Sequence, residues 1–370
     1  MRLLRRAVLV LVFLAGLVHI GGGWYAADLL KRDGLDVRPW PITMDLKITQ
    51  VSPTSITLKD PDDPNIQARS SATFGLEWPG GYGEISGKPK ISGDLVTRHW
   101  TPVQSAATVG TKASIDQNTK FEATLNPGEQ MVEFPSPLGT MDARFYRGNG
   151  TTWAVLVHGK GARPPEMERM AAVMTQRHLP TLIINYRNDP GQPQDKSKQY
   201  GFGTTEWRDL AAALDYARGK GAQKFIIGAN SMGGAITASY MRRTHDSDVL
   251  GLALDAPMLN FERTIEWGAE QRSIPSTITW VGERLATMRF GLDWSTMDYL
   301  SKPDWVTVPT VIVHGTKDLT VPLTTSRALA RRSDQVELIE FAGAGHCQSW
   351  NFNKAKYDAA IAGLVDRATD

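Results

Sequence analysis

From residue 121 onward the chain alternates between two hydrophobic patterns. Short, almost unbroken apolar runs read as strands: 141–146, 152–158 (TWAVLVH), 181–186 (TLIINY), 225–227, 249–254, 310–314 and 336–341. Between them, apolar positions recur three and four residues apart, which predicts helices over 166–177, 204–218, 323–332 and from about 353 to the end. In 204–218 the apolar face is Leu210, Ala213, Leu214 and Ala217. Apolar strands with helical crossovers predict an α/β fold, a mostly parallel sheet covered by helices on both faces. The segment from 258 to about 305 interrupts the alternation with Trp267, Trp280, Met288, Phe290 and Trp294, and predicts a small lid.

The first 120 residues have other periods. Residues 33–120 alternate apolar and polar positions, as at Met44, Leu46 and Ile48 and again at Phe74, Leu76 and Trp78. Turn clusters at 60–65 and 78–83 punctuate them, so this part predicts a β-rich element whose tryptophans serve as core or interface rather than as a binding platform. Residues 1–32 begin with Arg2, Arg5 and Arg6, followed by an apolar stretch in which His19 is the one strongly polar side chain. As a single helix, 7–27 would be about 32 Å long, the thickness of a bilayer core. Trp24 and Tyr25 would then lie at the far interface and the bulk of the chain outside the cytoplasm. The expectation is an uncleaved signal anchor crossing the cell membrane once; a cut after Gly23 and secretion is the alternative.

Composition narrows the possibilities. A hydrophobic content of 41% and a charged content of 22% suit a globular protein with a large core. A net charge of +2, without a basic run interleaved with aromatics, argues against nucleic acid as partner. The single cysteine, Cys347, excludes an internal disulfide and a multi-cysteine metal site, and reads as a packed neighbour of His346.

The candidate chemistry centres on 223–240, QKFIIGANSMGGAITASY. Ser231 stands in a tight strand-to-helix turn with small residues, Ala229 and Gly233, two positions to either side; this is the G-x-S-x-G elbow with alanine for its first glycine. A serine hydroxyl needs a base within reach. Of seven histidines, His346 lies in the loop after the last strand, where it can return over the sheet edge. A carboxylate must then orient the imidazole. Asp318, in the turn after strand 310–314, and Asp255, directly after strand 249–254, both satisfy the order Ser, Asp, His. The neighbour rule for sequential strands favours Asp318. For an oxyanion, the amide of Met232 is one donor and that of Lys160, in His158-Gly159-Lys160-Gly161, the second, with Gly161 next in line. The Lys160 side chain is expected in solvent.

Elbow, HGxG loop, Asp318 and His346 in these places resemble the α/β-hydrolase superfamily over residues 121–370. More closely, WAVLVHGKGA, NYRNDPG, TEWRDLAAALDYA, NSMGGAI, LDAP and GHCQSWN resemble a group of membrane-anchored actinobacterial α/β hydrolases, a likeness that continues through GLEWPGGYGEISG to the N-terminus. The resemblance implies a serine hydrolase with no metal and no organic cofactor. The expected reaction is cleavage of a small-molecule or lipid carboxylic ester through an acyl-enzyme. A serine peptidase or an acyltransferase would use the same residues, and a non-catalytic envelope interaction module is the reading from another class.

Overall fold

The computed structural model describes residues 2–37, 43–61, 65–118, 128–162 and 164–369. The boundary expected at 120/121 and the middle of the turn expected at 60–65 lie outside the described residues.

The second half of the chain builds an eight-stranded sheet. Its strands are β7 (Gln130–Ser136), β8 (Gly139–Tyr146), β9 (Thr152–Val157), β10 (Thr181–Ile184), β11 (Lys224–Asn230), β12 (Val249–Asp255), β13 (Thr310–Gly315) and β14 (Val336–Phe341). They lie in the order β14-β13-β12-β11-β9-β10-β8-β7. From β14 to β10 every pairing is parallel, and β8 and β7 add an antiparallel edge. Central strands are buried on both faces. In β9, Val155 and Val157 join the core beneath one helical layer while Ala154 and Leu156 join the other. That two-sided burial is why these strands read as unbroken apolar runs. β7 is the strand that the pattern did not reveal: of its seven residues only Phe134 is fully buried, so the run carries little apolar signal.

Helices α2 (Glu168–Gln176) and α9 (Lys354–Thr369) cover one face, with Met170, Met174, Ile361 and Leu364 against the sheet. Helices α3 (Trp207–Gly219) and α4 (Met232–Thr244) cover the other, with Leu210, Leu214, Ala235 and Ile236 inward. The start of α3 falls later than the pattern places it because the Glu206 carboxylate accepts the amides of Gly201 (2.5 Å) and Gly203 (3.0 Å) and fixes a turn there. Between β12 and β13 the insertion folds as two helices, α5 (Phe261–Gln271) and α6 (Ser276–Phe290). Helix α7 (Leu323–Ala330) and the short α8 (Ser349–Phe352) complete this half.

The β-rich element is a closed barrel of β1 (Leu46–Val51), β2 (Ser55–Lys59), β5 (Leu95–Gln104), β4 (Gly81–Ser92), β3 (Phe74–Trp78) and β6 (Lys112–Asp116), named in their order around it. Leu46, Ile48, Ile56, Leu58, Phe74, Leu76 and Ile85 fill its interior, and Trp78 and Trp100 are buried with ring centres 5.5 Å apart. It joins the sheet half through Asn351, which exchanges hydrogen bonds with Thr73, and through the edge-on pair Phe74–Phe352.

The N-terminal segment departs from expectation. Helix α1 (Arg2–Leu29) runs into a π-helical turn, Leu30–Leu35. Its second half lies along α6: Gly23 is buried against Val281, and Gly282 faces Ala26. Asp28 pairs with Arg289 at 2.6 Å, and the Arg289 guanidinium sits 3.8 Å above the Trp24 ring. Trp24 thus packs on the protein, and among the described residues no helix is long and apolar enough to cross a membrane. Small residues allow close backbone approach, which holds this half-helix on α6 and shortens the stretch that sequence alone allots to lipid. Farther forward, Leu9, Leu11, Phe13, Leu14, Val18 and Ile20 remain exposed.

Candidate active site

The elbow is built as the sequence demands. Ser231 sits between β11 and α4 with φ at +49°, a conformation that L-residues hold only when their surroundings enforce it. Its N–H donates to the Asp255 carbonyl (2.9 Å), and its carbonyl accepts from Gly234 and Met258 (3.0 and 2.9 Å). A Cβ at Gly233 would stand 2.3 Å from the Val157 carbonyl oxygen, so nothing larger than glycine fits without displacement.

Two loops bring the other side chains to it. After β14, the chain turns back so that the Ala344 carbonyl accepts from Lys317 N–H and lies against Gly315. His346 then places Nε2 2.8 Å from Ser231 Oγ and Nδ1 2.7 Å from Asp318 Oδ2. Asp318 is buried, and its Oδ1 accepts the amides of Thr320 and Val321 at 2.8 and 2.9 Å. Burial alone would raise its pKa, but the charge of His346 and the hydrogen bonds from His314 and His346 outweigh it and hold the carboxyl well below the usual range. Burial likewise acts to lower the His346 pKa, and the Asp318 carboxylate reverses this, leaving it raised above the ordinary 6.5.

Asp255 stands apart from this chain of hydrogen bonds. Its side chain accepts from Ser349 Oγ at 3.3 Å, and burial pushes its carboxyl up to about 7. The structure therefore brings Ser231, His346 and Asp318 together and leaves Asp255 as a support of the elbow through its backbone. Burial raises the Cys347 thiol far above its ordinary value, in keeping with a packed neighbour.

The candidate oxyanion donors sit at the first residue of α4, Met232, and in the loop after β9, Lys160. Sequence reasoning missed what holds that loop. Gly159 N–H donates to Glu166 Oε2 (2.7 Å), and the Tyr186 hydroxyl donates to the Gly159 carbonyl (2.9 Å). A carboxylate seven residues past a glycine carries no readable signal. The expectation for the Lys160 side chain is corrected: its Nζ donates to the carbonyls of Asp33 and Gly34, because the segment after α1 passes directly over the loop. Also unforeseen was His314, whose Nε2 lies 3.1 Å from Asp318 Oδ2 on its far side. The four-residue spacing of the two was the available clue. Among the described residues no cluster of three or more His, Cys, Asp or Glu could hold a metal ion.

A serine, a histidine and a carboxylate in one hydrogen-bonded line at the carboxyl ends of parallel strands define a class of protein, and comparison with known families agrees. The sequence model of the alpha/beta hydrolase family matches residues 154–359, and the chain belongs to that family. It is 26% identical over 174 residues to the AB hydrolase superfamily protein YisY of Bacillus subtilis, an alignment covering 37% of this chain and 65% of that relative. Among solved structures, two crystal forms of the Pyrococcus furiosus esterase Pf2001 superpose with TM-scores of 0.52 and 0.53 at 15% and 14% identity. Each superposition covers 65% of this chain, and 93% and 92% of the esterase. At such identities the likeness is one of fold. The hydrolase family is shared; the substrate of any one relative is not thereby transferred.

Proposed function

We propose that this hydrolase cleaves a carboxylic ester through an acyl-enzyme on Ser231, with His346 as base and Asp318 as its orienting partner. The single observation that carries the reading is the unbroken line Asp318–His346–Ser231 at 2.7 and 2.8 Å. With Nδ1–H bound to Asp318, His346 presents an unprotonated Nε2 to the serine hydroxyl. Oγ attacks the ester carbonyl as Nε2 takes its proton, and the amides of Met232 and Lys160 receive the oxyanion. The imidazolium then gives the proton to the departing alkoxide. Water, deprotonated by the same Nε2, hydrolyses the acyl-serine, and Oγ recovers its proton. No metal or organic cofactor enters this scheme.

The exposed apolar side chains of α1, from Leu9 to Ile20, suit contact with a lipid surface beside which Arg5 and Arg6 meet anionic headgroups. We place the protein at a membrane surface on that ground, with esters of lipid or of small molecules as substrates and helices α5 and α6 as the lid.

The test is labelling with a fluorophosphonate probe alongside turnover of p-nitrophenyl esters of graded chain length. Wild type should be labelled at Ser231 and be active, and Ser231→Ala should lose both, with turnover down by about 10⁴-fold or more. A folded Ser231→Ala protein that turns over every active ester as fast as wild type would refute the assignment.

A further inference from the structure

A cavity of about 1020 Å³ lies between α1 and the proposed lid helices α5 and α6, and none of Ser231, His346 and Asp318 lines it. Its wall is unusual in charge. Glu266 and Glu270, one turn apart on α5, line it together with Glu283 on α6. Glu262 precedes Glu266 by a further turn, so α5 presents like charges at successive i,i+4 positions, a destabilising arrangement in an isolated helix. Glu283 is 5% exposed, and its Oε1 has no hydrogen-bond partner. A buried carboxyl group left unpaired is costly unless something compensates it.

The cavity's carboxylates form no cluster of three that could hold a metal ion, as is true throughout the described residues. The space is of the size of a small-molecule site. The rest of the wall mixes serine and threonine hydroxyls with the apolar side chains of Ile274 and Val281 and the exposed Trp280. Carboxylates beside an aromatic face and aliphatic side chains are the surroundings that an organic ammonium ion takes.

We propose that this cavity is a binding site for an organic ammonium ion, held by Glu283 with Glu266 and Glu270 and packed against Trp280. The site is separate from Ser231 and does not depend on the ester reading. The groups facing Glu283 are Glu262 and Glu266 from α5 and Arg284 from its own helix, while His19 of α1 lines the cavity and bonds Thr277 at 3.1 Å. Arg284 also lies 5.5 Å from the Trp280 ring centre, and Arg263 faces Glu266. Burial, with the like charges of Glu262 and Glu266, pushes Glu283 up to about 7. The ionised form is the one that binds a cation. Raising the pH from 6 to 8 therefore takes Glu283 from mostly protonated to mostly ionised and strengthens binding, by about tenfold if this group dominates.

The experiment is isothermal titration calorimetry of the full chain in a non-ionic detergent with choline chloride, against sodium chloride at equal ionic strength. The expected result is saturable one-to-one heat with choline alone, about tenfold tighter at pH 8 than at pH 6. Glu283→Gln should weaken it by about tenfold or more and remove the pH dependence. Trp280→Ala, an exposed position, should weaken it several-fold while leaving the fold intact, and so serves if the first variant is unstable. Hexyltrimethylammonium binding more tightly than choline would make the natural ligand an amphiphile, and equal or weaker binding a small soluble amine. The proposal is overturned if choline gives no saturable heat at pH 8, or if both variants bind it as wild type does.

Discussion

Replacing Asp318 by asparagine tests the proposed chemistry most sharply, because the structure dictates how the amide must sit. Oδ1 accepts two backbone amides, from Thr320 and Val321, at 2.8 and 2.9 Å. Only a carbonyl oxygen can remain there, so the new NH₂ takes the place of Oδ2, 2.7 Å from His346 Nδ1. It would donate where the carboxylate accepts. His346 must then leave Nδ1 unprotonated and carry its hydrogen on Nε2, facing Ser231 Oγ at 2.8 Å. An imidazole in that tautomer cannot take the serine proton. The expected loss in kcat is on the order of 10⁴, or about 5.4 kcal/mol of barrier. Asp255→Asn is the control. Near neutral pH that carboxyl, held up to about 7, is already protonated to a large extent, and it makes no hydrogen bond to His346. Its amide should keep the rate within about tenfold of wild type. The assay is initial-rate hydrolysis of p-nitrophenyl butyrate by both variants, after matched far-ultraviolet circular dichroism and melting. The reasoning fails if Asp255→Asn is the crippled protein and Asp318→Asn keeps most of its rate.

Further outcomes concern the base and the N-terminal helix. The acid limb of the kcat/KM profile should fall above pH 6.5, since the base must be neutral and Asp318 raises its pKa. In Asp318→Asn, the residual activity should show this limb displaced to lower pH; a limb that stays put would separate it from His346. Deleting residues 2–18 should leave melting of the folded protein unchanged while abolishing flotation with anionic vesicles. Deleting 2–35 should destabilise it by roughly 3–6 kcal/mol for the buried Leu30 and Leu35 alone. Equal melting of the two truncations would contradict the packing of α1 on α6.

How much of this was legible without coordinates depended on whether the information was local. The strands of the parallel core announced themselves because two-sided burial leaves no room for polar residues, and Ser231 because a strained turn with φ at +49° admits only small neighbours at Ala229 and Gly233. His346 followed from its place after the last strand. What needed the folded molecule was every relation between distant residues. Sequence order left Asp318 and Asp255 both eligible, and the folded positions separated them: Asp318 Oδ2 meets His346 Nδ1, whereas Asp255 meets Ser349. The Lys160 side chain finds its partners, the carbonyls of Asp33 and Gly34, far back in the chain, and the contact of Glu166 with Gly159 follows no periodicity that would betray it. The N-terminal helix shows the same limit. Its apolar composition is the same whether it meets lipid or protein, and only the tertiary structure reveals that Gly22, Gly23 and Ala26 let its second half close on α6 while Leu9, Leu11, Phe13, Leu14, Val18 and Ile20 stay exposed.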